Sequence, residues 1–320
     1  MEVTLSPRKL LWRATPWFKL LVRRKRYELF QYLQPFIAAS MQTIGEGPRT
    51  VSRSAVHEIA RELTDKEMNT VAQTPDDPSM EHLFYQLMIF FFGGDDAISI
   101  TVPRIFRQLH LNPECVTKIR AEHDTILGAD ASVAAERIRE EPHTLDSLQY
   151  TLGVTKETLR MNPATITIRE GQPSFNFQIK GDDGPWPTDG FDLFDSSIII
   201  HHDPNNFADP YKFIPERYSV SEAHTLDPEK DAWRGFQLGP RRCIGQELVV
   251  VVLKLVLGST IRTFDIEMAW DKWDAIRELQ GVKFDRRTVE GERMYTTGKA
   301  TSHPKDGAPM HVRIQGTSSK

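Results

Sequence analysis

Apolar side chains recur at three- and four-residue steps over residues 17–42, which predicts an amphipathic helix. Residues 43–54 are rich in Gly, Pro, Ser and Arg and read as a loop, followed by short helices near 55–62 and 65–72. Thr74-Pro75-Asp76-Asp77-Pro78-Ser79 then breaks the chain and supplies a helix cap. From Met80 to about Gln108 the pattern predicts one long helix, with Phe84, Leu87, Met88, Phe91 and Phe92 as its apolar stripe. The pair Gly93-Gly94 is expected to interrupt that helix, or to let a ligand approach it closely. Cys115–Leu127 and Leu145–Arg160 read as further helices. The pattern turns strand-like over 165–201, with strands at 165–168, 174–179 and 197–200 and a turn at Gly181-Asp182-Asp183-Gly184. A nearly continuous apolar run, Gly245 through Leu257, reads as a helix reaching about residue 262, and the tail from about 280 reads as strands joined by turns. The sum is a mainly α chain with small β-sheets and one domain overall. Within it, residues 1–75 hold helices that precede the long one, and 76–320 form the core.

Composition adds limits to that picture. A chain of 320 residues with 39% hydrophobic content has ample material for a large core. A formal net charge of −4 gives no case for nucleic-acid binding. The two cysteines, Cys115 and Cys243, offer no disulfide framework and fit a reducing compartment. No uncharged apolar run reaches the ~18 residues of a membrane span. Residues 8–26 collect Arg8, Lys9, Arg13, Lys19, Arg23, Arg24, Lys25 and Arg26 among Leu, Trp and Phe. Such a stretch suits peripheral contact with an anionic membrane surface, and equally a solvated helix face.

The chemistry concentrates at one cysteine. Phe236-Gln237-Leu238-Gly239-Pro240-Arg241-Arg242-Cys243-Ile244-Gly245 precedes the apolar helix directly. Cys243 therefore sits at or just before a helix N-terminus, where free N–H groups and the helix dipole favour an anionic sulfur. The thiolate is the form that ligates metal. Five specified positions at these spacings arise by chance in roughly one chain in ten thousand or fewer.

This frame resembles the haem-thiolate loop of the cytochrome P450 monooxygenases. The resemblance implies a heme b cofactor with Cys243 as the axial iron ligand, a bond that favours O–O cleavage. Phe236 would shield the sulfur face from water, Gly239 and Gly245 would let backbone approach the flat macrocycle, and Arg241 would pair with a propionate. Arg169 matches a second position where the family often places a propionate-binding arginine. Glu157-Thr158-Leu159-Arg160 and Pro215-Glu216-Arg217-Tyr218 look like the family's Glu-x-x-Arg and Pro-Glu-Arg-Phe elements, with Tyr218 in place of Phe. They imply a buried charge triad of Glu157, Arg160 and Arg217. Gly93-Gly94-Asp95-Asp96-Ala97 resembles the family's oxygen-binding helix segment. Gly94, Asp96 and Ala97 then take the catalytic positions, with Asp96 as the acid that helps relay protons. Ala97 stands where the family has threonine, so the usual hydroxyl is missing, with Ser99 or a water as substitutes.

The landmarks run in order over residues 80–315, and the 200–260 stretch is similar in style to filamentous-fungal members linked to secondary metabolism. Family members usually carry an anchor, a hinge, a sheet and several helices before the matched region. The resemblance thus implies a cytochrome P450 fold incomplete at the N-terminus, lacking its usual first third. The leading reading is a monooxygenase that inserts one atom of dioxygen into a lipophilic small molecule, fed by an NADPH-dependent reductase docking near Arg241 and Arg242. It would act on the cytoplasmic side, peripheral at the endoplasmic reticulum membrane. Two alternatives stay open: an isomerase or peroxide-using haem-thiolate enzyme, motivated by Ala97, and a truncated, non-catalytic haem-binding fragment. His57-Glu58-Ile59-Ala60-Arg61 lacks the second histidine of a zinc helix. His201-His202 would end a strand and point to opposite faces, and Glu122-His123-Asp124 reads as a solvated helix end.

Overall fold

The computed structural model describes residues 78–316 except 180, 182, 222, 223, 290 and 298–300, together with scattered positions between 16 and 36. Residues 23–25, 27–32 and 34–36 are helical, within the helix expected over 17–42. The short helices expected near 55–62 and 65–72, and His57 with them, lie outside the described residues. The chain divides into two compact units, residues 1–93 and 94–320.

The long helix is α1, Pro78–Leu111. Proline is well tolerated at its first position, where an N–H would lack a partner anyway. The expected interruption at Gly93-Gly94 does not occur, because helix runs through both residues. Two glycines cost roughly 2 kcal/mol relative to alanine, and the 34-residue helix absorbs them along with an interior proline, Pro103. A Cβ added at either would meet nothing within 4 Å. The expected stripe is also only partly internal. Leu87 is buried, whereas Met88, Phe91 and Phe92 are exposed.

Four helices of the larger unit share one core. Ile105, Phe106 and Leu109 of α1 pack with Cys115 and Ile119 of α2 (Pro113–Leu127) and with Val154 and Leu159 of α4 (Gln149–Met161). Val249, Leu253 and Leu257 of α6 (Gln246–Thr260) complete it, together with Phe236 from the cysteine loop. Each such side chain is worth about 1.5–3 kcal/mol when fully buried. The short α3, Ala134–Glu140, joins a second cluster of Leu127, Ala134, Ile138, Leu145 and Leu148. Lys254 interrupts the apolar run of α6, yet it is buried and donates to the Leu145 carbonyl at 2.8 Å.

Glu122, His123 and Asp124 are not a solvated helix end. Glu122 accepts from the N–H groups of Tyr150 and Thr151, so a carboxylate on α2 caps the start of α4. His123 is buried against the Thr151 hydroxyl, and Asp124 pairs with Arg262.

The strands form three antiparallel pairs. β1 (Thr167–Glu170) pairs with β4 (Asp192–Asp195), and β2 (Asn176–Phe177) with β3 (Trp186–Pro187). β5 (Phe264–Met268) pairs with β6 (Met310–Ile314), placing Ile266 opposite Val312. The strand expected at 197–200 is instead a short helix, α5, Ser197–His201. β4 ends at Asp195, opposite the first residue of β1, so no strand remains to pair with the isoleucines. The N–H groups of Ile199 and Ile200 turn to the Ser196 carbonyl. The tail also departs from expectation. Between α7 (Trp270–Leu279) and β6 the described residues hold isolated bridges, such as Thr296 with Pro304, rather than strands.

Candidate functional site

Backbone conformation at two positions shapes the loop before Cys243. Gln237 and Gly239 both adopt left-handed backbone, with φ of 63° and 77°. Glycine takes that conformation freely, but Gln237 bears a strain of roughly 1–2 kcal/mol. Its side-chain amide donates to the Ser197 hydroxyl at 3.0 Å, which anchors the strained turn. The chain then folds back, so that the Cys243 N–H donates to the Phe236 carbonyl at 2.9 Å. Gly245 is the N-cap of α6, and no side chain caps the helix. The first turn of α6 therefore offers N–H groups with no helical acceptor, two residues beyond Cys243.

The Cys243 thiol is exposed, and its neighbours Leu238 and Ile244 are exposed apolar side chains, Ile244 at 99%. A Cβ on Gly245 would stand 3.9 Å from the sulfur. Phe236, by contrast, is buried in the helical core and meets Trp233 edge-on at 5.9 Å. Arg241 is exposed beside the cysteine, and Arg169 is exposed on β1, where it donates to its neighbour's carbonyl, Ile168 O. An exposed thiol in a loop with exposed apolar side chains fits a flat, greasy prosthetic group. Among the described residues no three His, Cys, Asp or Glu side chains stand together as a metal cage. One sulfur suits an iron whose other donors come from a macrocycle, as in haem.

The same unit holds a fully buried ionic cluster. Glu157 and Arg160, three apart on α4, share one helix face. Arg160 grips both carboxylate oxygens, at 2.8 and 2.9 Å, and Arg217 reaches the same carboxylate at 3.2 Å. The Tyr218 hydroxyl and the Ile214 N–H also donate to Glu157, so its lone pairs are well occupied. Arg160 and Arg217 donate onward to the carbonyls of His201, Lys212 and Asp209. A Cβ at Gly153 would lie 2.6 Å from the Pro215 carbonyl oxygen, so glycine is what lets the Pro215–Tyr218 turn approach α4.

His201 is the residue that sequence reasoning missed as a connector. It closes α5, not a strand, and is buried, whereas His202 is half-buried. Its Nδ1 faces the Arg160 carbonyl at 2.8 Å and must donate there, while Nε2 accepts the Arg234 N–H at 2.8 Å. The ring thus joins the ionic cluster to the chain two residues before Phe236, and it must be neutral to do so. Burial pushes His201 down to about 4 and does the same to His123. In the unfolded chain each takes up its proton near 6.5. Stability from this pair should be complete above about pH 6.5, fall as pH drops toward 4, and level off below, by roughly 3 kcal/mol per histidine. Denaturant midpoints measured across that range check this, and a midpoint independent of pH there would contradict it.

On α1 the Asp96 carboxylate pairs with His303 from the tail at 2.8 Å. Gly94 and Ala97 flank it, half-buried. The Ala97 carbonyl accepts from Thr101, and the Ser99 hydroxyl is committed to the Asp96 carbonyl at 2.9 Å. The sequence gives no local signal for the His303 contact, because the two residues are 207 apart.

A family model described as Cytochrome P450 matches residues 2–284. Cytochrome P450 monooxygenase polC of Polytolypa hystricis is 31% identical over 290 residues, covering 90% of this chain and 51% of that protein. Cytochrome P450 monooxygenase acrF of Aspergillus aculeatus is 31% identical over 279 residues, covering 79% of this chain and 55% of that protein. The chain spans about half the length of these curated relatives. Among solved structures, retinoic acid bound cyanobacterial CYP120A1 matches with a TM-score of 0.59 over 91% of this chain and 57% of that one. At 20% identity this likeness speaks for the fold alone. A matching family model, relatives at 31% identity and a shared fold converge: the chain belongs to the cytochrome P450 family.

Proposed function

We propose that this chain serves haem-thiolate oxygen insertion into a lipophilic small molecule, in a fungal setting of secondary metabolism. The observation that carries the reading is the exposed Cys243 thiol, held by its N–H on the Phe236 carbonyl and set before the uncapped start of α6. When bound, the haem would supply the oxygen chemistry, using dioxygen, two electrons and two protons, with one oxygen atom entering the substrate and the other leaving as water. The rest is the chain's own work. Cys243 ligates iron as thiolate, and α6 N–H groups stabilise its charge. Phe236 keeps water from the sulfur on the core side. Arg241 and Arg169 are cations for the propionates. Asp96 holds and moves a proton. Arg241 and Arg242, both exposed, present positive charge to an NADPH-dependent reductase.

The peroxide-using alternative rests on Ala97, since the nearby Ser99 hydroxyl is already occupied. The two readings separate in one experiment. With reductase, NADPH and labelled dioxygen, the proposal expects one labelled atom in the product, with turnover lost when NADPH is withheld. Equal turnover from peroxide alone would favour the alternative. Ala97→Thr should raise the share of NADPH electrons recovered in product by about twofold or more, by restoring a proton donor. An unchanged ratio would mean that the proton route does not pass this position.

A further inference from the structure

We propose that the short helix α5 clasps the cysteine loop, with Ser197 and His201 as positioning residues for Cys243. This rests on the reading of Cys243 as the haem ligand. The contacts fall on two residues of the loop, Arg234 and Gln237. His201 Nε2 accepts the Arg234 N–H at 2.8 Å, and the Gln237 side-chain amide donates to the Ser197 hydroxyl at 3.0 Å. Asp195, at the end of β4, pairs with the Arg234 guanidinium at 3.4 Å. Between the two clasped residues the chain makes one tight turn, closed by the Gln237 N–H on the Arg234 carbonyl at 3.1 Å. Phe236 lies inside that turn, and its carbonyl is the acceptor that holds the Cys243 N–H. A continuous path therefore runs from α5 through Arg234 and the turn to the Phe236 carbonyl and Cys243.

The turn needs such a clasp. Gln237 is held at a φ of 63°, and a strained residue of this kind persists only where its surroundings over-determine it. The Cys243 thiol is exposed, so core packing does not fix the sulfur. The Phe236 ring packs in the core, but the direction of its carbonyl follows from the backbone of the turn. Ser197 and His201 are both buried, so water does not compete for their hydrogen bonds. The tautomer of His201 is set by its partners: Nδ1 donates to the Arg160 carbonyl, which leaves Nε2 as the acceptor for Arg234. From the other side, Trp233 Nε1 donates to the Lys156 carbonyl of α4 at 3.1 Å. Loss of the α5 contacts thus loosens the turn without detaching the segment.

Two substitutions separate the loop contact from packing. His201→Asn sets an amide nitrogen near the place of Nδ1, which keeps the Arg160 contact but falls short of Arg234. His201→Gln reaches Arg234 with an acceptor oxygen and gives up Arg160. Each loses one hydrogen bond, so their denaturant midpoints should be alike. Backbone amide exchange in deuterium, without haem, is the first readout. His201→Asn and Ser197→Ala should each speed exchange of the Cys243 N–H by about tenfold or more, while His201→Gln stays within about threefold of the wild type. The ferrous–carbon monoxide spectrum of the haem-loaded chain is the second. There His201→Asn and Ser197→Ala should move intensity from the thiolate band to the neutral-ligand band, and His201→Gln should keep the thiolate band. Equal effects of Asn and Gln in both readouts would overturn the clasp and leave His201 a packing residue, as would wild-type behaviour in all three variants. Should His201→Asn not fold, unchanged exchange at Cys243 in Ser197→Ala overturns the clasp by itself. A wild type with no thiolate band removes the Cys243 reading, and the exchange rates still decide whether α5 holds the loop. A thiolate band in every protein with unaltered exchange removes the clasp alone.

Discussion

Glu157→Gln is expected to destabilise the fold by roughly 3–5 kcal/mol, the usual effect of breaking a buried ion pair from one side. Glu157, Arg160 and Arg217 are all essentially inaccessible to water. Removing the anion leaves two guanidinium groups buried without their counter-charge. Gln keeps the shape and one carbonyl acceptor, so the loss reports charge rather than volume. The amide also sets N–H groups against the donors of Arg160, Tyr218 (its hydroxyl) and Ile214, which now donate to the carboxylate. Total stability of a folded domain is only about 5–15 kcal/mol, so the variant should populate unfolded chain under mild denaturant. Glu170→Gln on the exposed β1 is the control and should stay within about 0.5 kcal/mol of the parent. Equal denaturant midpoints for the two variants would show that the cluster does not hold the core.

The second large effect is chemical. Cys243→Ser should abolish the thiolate spectrum and any reductase-driven oxygen insertion while leaving helix content intact. Cys243 is exposed and contributes nothing to the core, whose nearest member in the loop is Phe236. Circular dichroism and the thermal midpoint without haem should therefore match the parent, because surface substitutions are usually within about 0.5 kcal/mol. A coincident loss of fold would mean that the loop is structural, and an unchanged haem spectrum would mean that another side chain binds the iron.

Much of this was legible from local pattern, and the misses have a common cause. The Glu-x-x-Arg spacing places both charges on one face of α4 whatever the rest of the chain does. The glycine and proline positions around Cys243 mark a turn before an apolar run, and the family frame names its purpose. What local pattern could not show is what each segment finds to pair with. Ile198, Ile199 and Ile200 have strand propensity, but β4 has already ended and no partner strand is left. Gly93 and Gly94 look like a break, but the helix on either side carries through. Glu122 looks like surface charge until the N-terminus of α4 arrives to be capped. His201 and His303 act through contacts 33 to 207 residues away, which no window of sequence displays.

The central claim is that Cys243 binds haem iron as a thiolate. The most direct measurement is the Soret band of the haem-loaded, reduced protein under carbon monoxide. A strongly red-shifted band, lost in Cys243→Ser, is the predicted result. A band typical of a neutral axial ligand, or no haem uptake by the chain, would contradict it.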